Sequence, residues 1–150
     1  MALTQPVRAL DPPPWGSQPF GYERVVQPVL DKRCVSCHDG SKKERIDLRG
    51  NLDAARVPAS YRSLVSDGWV HYFDWAYGAR HLKAEPLTFG TLRSRLWEAL
   101  AREQHKEVKL SADERRALTA WTDLNCPLWP DYLYRPDRPA QAPAAVAVGH

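Results

Sequence analysis

The run Cys34-Val35-Ser36-Cys37-His38 constrains this chain more than any other part of it. Two thiols separated by two residues and followed at once by a histidine form the pattern of covalent c-type haem attachment. Each thiol can add to one of the two vinyl groups on a single porphyrin edge, and the adjoining imidazole is then held beneath the ring, where it binds iron. Zinc would ask for a second ligand pair at similar spacing, which the sequence lacks. A thioredoxin-like redox role would ask for a βαβ context, also missing. The cysteine count is three, with Cys126 far downstream, so a disulfide framework is not expected. Cys34, Cys37 and His38 are thus read as holding one haem c, with His38 as the proximal iron ligand.

The 150 residues suit one domain. A net charge of +3 and a hydrophobic share of 43% exclude wholesale disorder and a strongly basic nucleic-acid module, so nucleic acid is not an expected partner. No apolar run is long enough for a transmembrane segment. Prolines crowd both ends, which divides the chain into a Pro-rich N-terminal arm (1–19), a haem domain (20–134) and an Ala/Pro-rich C-terminal tail (135–150). The first residues lack the basic patch, apolar stretch and cleavage site of a secretory signal.

Between the arms the periodicity is helical and strand alternation is nowhere sustained. Val25, Val26, Val29 and Leu30 give one apolar stripe over 22–33, with Pro28 expected to kink or shorten the helix. Ile46 to Gly50 reads as a short extended piece, and a short helix is expected over 59–65. Leu92, Leu96, Trp97 and Leu100 place an amphipathic helix over 91–102. A further helix starts at Ser111, with Glu114 completing a capping box and Ala117, Leu118, Trp121 and Leu124 on its buried face. Residues 66–90 are aromatic but aperiodic, a long loop that wraps something. The fold expected is mainly α: a small cytochrome c-like helical domain around one covalently bound haem, with a long aromatic loop and extended Pro-rich arms. Six tryptophans in so short a chain suit the cover of a large apolar ring, although each one singly reads as core.

The sixth iron position decides the chemistry. The single methionine is Met1, in a proline-flanked arm, so His/Met ligation is excluded. His71, His81 and His105 remain as distal ligands, His150 being discounted in its low-complexity tail. His105 is preferred, because it sits on the short connection between the two best helices and is positioned by rigid elements on both sides.

Three stretches carry a resemblance: Val26 to Gly40, Ile46 to Gly50 with Ser60 to Val65, and Phe89 to Leu96 with His105 to Ser111 and Leu118 to Asn125. Over residues 20–134 the chain resembles the mono-haem cytochrome c domain of large planctomycete secreted proteins, a group to which the C-terminal haem domain of hydrazine synthase alpha subunits is similar. The resemblance implies that the histidine before Val108-Lys109-Leu110-Ser111, which is His105, is the distal ligand. It also implies an extracytoplasmic setting, periplasmic or equivalent or extracellular, with the signal absent from this chain because the chain is trimmed or a subunit fragment. It lies in an accessory haem domain and implies no hydrazine synthesis.

Two axial histidines leave iron no open position, so the expected activity is single-electron transfer at a potential below that of a His/Met cytochrome, and not catalysis. Redox proteins are the expected partners, with homo- or hetero-oligomeric assembly through the terminal arms. The alternative is a haem enzyme or gas-binding domain with an open distal site near the Trp69 to His81 loop, where His71 or His81 would serve as acid/base and Arg80 would stabilise charge. The Lys42 to Arg45 run and the Arg93/Arg95 pair read as solvated surface. Cys126 reads as a buried, inert thiol at a helix end.

Overall fold

Val26 divides the first apolar stripe into two helices, α1 (Tyr22–Val25) and α2 (Gln27–Arg33). Proline has no N–H to give to a carbonyl one turn back, so the break falls where Pro28 occupies the first turn of α2, whose donors have no helical partner in any case. The structure, a computed structural model, describes residues 11–71 and 86–130. The expectations placed on Met1, the segment from Tyr72 to His81 and the C-terminal tail lie outside them. After α2 come α3 (Ala59–Ser66), α4 (Arg95–Leu100) and α5 (Ala112–Asp123), with 3-10 turns at Gly90–Arg93 and Glu103–His105. The domain is small and mainly α-helical. Among the described residues there is no β-sheet, only an isolated bridge between Leu52 and Pro58, and no helix is long and apolar enough to cross a membrane.

Two boundaries differ from the periodicity. The helix expected from Thr91 starts at Arg95, because Ser94 is extended (φ −84°, ψ 123°) and its buried hydroxyl serves the backbone instead. Ser94 Oγ donates to the Gly90 carbonyl at 2.7 Å and accepts the His71 N–H at 2.9 Å. Leu92, assigned to the apolar stripe, is therefore 69% exposed. Leu124, assigned to the buried face of α5, is 56% exposed. The helix stops one residue earlier, and Asn125 (φ 66°) and Cys126 (φ 55°) turn the chain so that Cys126 goes inward in its place.

All five helices feed one core. Val26 and Leu30 meet Leu64 of α3, Leu96 of α4, and Leu118 and Trp121 of α5, with Leu48 of the connecting loop. Each such side chain contributes about 1.5–3 kcal/mol by burial. Tyr22 and Trp121 are fully buried, and their rings meet each other and Tyr61 at centroid distances of 5.1 to 6.1 Å, Tyr61 being edge-on to both. The Tyr22 hydroxyl donates to Ser60 Oγ at 2.9 Å, Ser60 donates to Gln27 Oε1 at 2.6 Å, and Gln27 Nε2 donates to the Leu48 carbonyl at 3.1 Å. A buried polar chain of this kind is tolerated because each member has a partner.

The capping box is formed as expected: Glu114 N–H donates to Ser111 Oγ at 3.1 Å, and Ser111 N–H donates to Glu114 Oε2 at 2.8 Å. Ser111→Ala is expected to lower stability by about 1 kcal/mol, read as the shift in urea midpoint at unchanged slope. Glu114 also receives Lys32 Nζ at 2.9 Å and Arg33 Nε at 3.0 Å, which joins α2 to the start of α5. The Ser111 amide, then Lys32 and Arg33, hold its carboxyl at about 2, below the usual 4.5. A carboxylate more acidic folded than unfolded stabilises the fold fully above pH 4.5, and that stability is lost as pH falls from there toward 2. Urea melts at pH 5 and pH 3 should show Glu114→Gln losing less stability over this window than the wild type does.

Candidate cofactor site

His38 is placed by the end of α2 and by a loop that folds back over it. Cys34 N–H donates to the Leu30 carbonyl at 2.8 Å, and the Cys34 carbonyl accepts Cys37 N–H at 3.1 Å and His38 N–H at 3.0 Å. The motif is thus a compact turn continuing the helix. Gly40 (φ 73°) then reverses the chain in the left-handed conformation that favours glycine, and a Cβ there would push on the Asp47 and Arg49 side chains. The returning strand of loop gives Leu48 N–H to the His38 carbonyl at 2.9 Å, and the Ile46 carbonyl meets His38 Nδ1 at 3.1 Å.

His105 is placed by the end of α4. Helix α4 stops at Leu100 and leaves its last carbonyls without helical partners. The 3-10 turn Glu103–His105 brings His105 Nδ1 to the Ala99 carbonyl at 2.8 Å, while His105 N–H donates to Arg102 at 2.9 Å. A carbonyl only accepts, so Nδ1 is the donor in both contacts, and in the neutral imidazole Nε2 is then the nitrogen with the lone pair. That is the arrangement of metal-ligating histidines, whose second nitrogen is fixed by a backbone carbonyl.

The two rings face one cavity of about 460 Å³. Their centroids are 6.2 Å apart and their planes lie within 16° of each other. An imidazole centroid is about 1.1 Å from its own nitrogen and a metal–imidazole bond is about 2.0 Å, so two imidazoles on opposite sides of one metal ion have centroids roughly 6 Å apart. Among the described residues no group of three or more His, Cys, Asp or Glu could hold a metal ion. A bare zinc ion, which takes four protein ligands in structural sites, is poorly served here. A metal that brings four ligands in a flat macrocycle needs only two from the protein, and the residues present fit that group. The cavity's apolar wall, from Ile46, Leu48, Trp69, Leu96, Leu100 and Val108, fits it too.

Cys34 and Cys37 both line this cavity and carry free thiols, Cys34 half-buried and Cys37 exposed. Burial pushes the Cys34 thiol up to about 11. His71 does not line the cavity, and its backbone is engaged with Ser94 and Gly90 instead. His81 and Arg80 lie outside the described residues. Cys126 is 2% exposed and its thiol is pushed up to about 12 by burial, in keeping with an inert core residue.

Several lining residues were not singled out by the sequence. Arg33 and Arg102 are two of these, and Arg45 of the charged run also lines the cavity, its Nη1 donating to the Cys37 carbonyl at 3.1 Å. Arg45 is exposed, as expected of the Lys42 to Arg45 run, and lies at the rim of the cavity as well. Arg95 lies 4.5 Å over the ring of Trp69, a cation–π contact that holds the indole at the cavity wall. A position next to Cys34 could have marked Arg33, but nothing in spacing marks Arg102. No family model, curated protein or solved structure matches the chain.

Proposed function

We propose that this chain is a c-type cytochrome domain that transfers single electrons through one covalently attached haem. The observation that carries the reading is the pair of imidazoles, His38 and His105, tethered at Nδ1 by backbone carbonyls across one apolar cavity that Cys34 and Cys37 also line. Cys34 and Cys37 would hold the haem through thioethers, and His38 and His105 would ligate its iron. Bound there, the haem supplies a reversible one-electron couple.

The chain's own contribution is positional. The carbonyls of Ile46 and Ala99 fix the tautomer and direction of each ligand, so neither imidazole has to reorient between oxidation states. The apolar side chains of the wall would pack against the ring, and two strong ligands would leave no open position for substrate. Histidine in place of methionine sets the potential below that of His/Met cytochromes. The resemblance to the mono-haem domains of planctomycete secreted proteins supports the same reading, and with it an extracytoplasmic setting, redox proteins as partners and assembly through the terminal arms.

Expression together with a c-type haem maturation system tests the reading. Haem that stays with the chain after denaturation, is lost in the Cys34→Ala/Cys37→Ala double variant, and gives a low-spin bis-histidine EPR spectrum supports it. A chain that emerges without covalent haem overturns it. So does a resting ferric protein that is high-spin, which would favour an open distal site.

A further inference from the structure

The cap of α5 and the approach to Cys34 share one carboxylate. Glu114 accepts the Ser111 N–H at 2.8 Å, Arg33 Nε at 3.0 and 3.1 Å on its two oxygens, and Lys32 Nζ at 2.9 Å, and its side chain is only 11% exposed. Lys32 and Arg33 are the last residues of α2, and the hydrogen-bonded turn from Cys34 to His38 continues directly from them. Ser111 ends the connection that carries His105, which is itself turned by the bond from Val108 N–H to the His105 carbonyl at 2.9 Å. One group therefore ties the segment bearing one cavity histidine to the segment bearing the other. Arg33, held through Nε, lines the same cavity.

We infer that Glu114 is a positioning residue for the two-histidine clamp, setting the separation at which His38 and His105 meet a bound haem iron. The inference rests on the function proposed above. The carboxylate does not touch the cavity and acts only through what it joins: with the bridge intact, the two segments are held from opposite sides at fixed distance. Without it, α2 and the 106–111 connection are joined near the site only through packing, and the weaker of the two tethers gives way first. That is the distal one, since His105 sits on a three-residue 3-10 turn whereas His38 is enclosed by the 39–48 loop.

The test uses the full-length haem-loaded protein and reads ligation. In Glu114→Gln, whose amide oxygen can still accept the Ser111 N–H, the ferrous form is expected to bind carbon monoxide about tenfold faster or more, with a high-spin component in the ferric spectrum. Arg33→Gln removes one of the two cationic partners and leaves Lys32 on the carboxylate, so it should shift carbon monoxide binding the same way by a smaller factor. The double variant should go no further than Glu114→Gln, because loss of the carboxylate already takes away the partner of Arg33. Ser111→Ala weakens the cap but keeps the bridge, so it should lower thermal stability and leave carbon monoxide binding unchanged. The inference is overturned if Glu114→Gln and Arg33→Gln bind carbon monoxide as the wild type does. It is equally overturned if their effects add, or if Ser111→Ala produces the same change. A wild-type chain that takes up no covalent haem defeats the function proposed above, an outcome distinct from all of these.

Discussion

His105→Ala is expected to convert the haem-loaded ferric protein from low-spin to high-spin and to open the ferrous iron to carbon monoxide at neutral pH. The reasoning is local. In the described structure His105 is the one histidine that shares the cavity with His38, at a ring separation of 6.2 Å, and its Nδ1 bond to Ala99 leaves Nε2 free for a metal. Removing a direct ligand should exceed the roughly 10–100-fold effect of losing an outer-shell partner. Added imidazole should restore the low-spin spectrum, since the cavity left by the side chain admits it. Covalent attachment should survive, because Cys34, Cys37 and His38 lie on the opposite segment. An unchanged low-spin spectrum in His105→Ala would remove His105 from the site and return the distal position to His71 or His81.

Trp121→Ala should have the largest effect on stability, about 3–5 kcal/mol, and lower the melting temperature on the order of 10–20 °C. Trp121 is fully buried at the junction of α5 with Tyr22 of α1 and Tyr61 of α3, so truncation leaves a cavity that three elements cannot jointly close. Trp121→Phe should be much milder, because the indole N–H has no partner among the described residues and its loss strands no acceptor. Thermal melts of the two variants check this. Equal losses would mean that the ring edge, and not cavity volume, sets the cost.

The start and the buried face of helix α5 were legible because their signals are local: Ser111 and Glu114 three residues apart make the cap, and Ala117, Leu118 and Trp121 share one face of a regular helix. The start of α4 was not, since the periodic Leu92 suggested a longer helix while Ser94 was drawn away by Gly90 and His71, one of them distant in sequence. Leu124 was misassigned for a related reason, as a left-handed turn at Asn125 and Cys126 ends the face early without a glycine to announce it. Glu114 was visible only as a cap, because its partners Lys32 and Arg33 lie 82 and 81 residues away.

The helical class follows from residue type and short spacing, and the proposed roles of Cys34, Cys37 and His38 on a haem, with Met1 set aside, rest on the same local signals. Only the tertiary structure decided that His38 and His105 share a cavity, that both keep Nδ1 on a backbone carbonyl, and that three arginines reach its wall. Those facts depend on where α2, α4 and their loops come to rest against one core. Side-chain packing over long sequence separations sets that placement, and no local pattern encodes it.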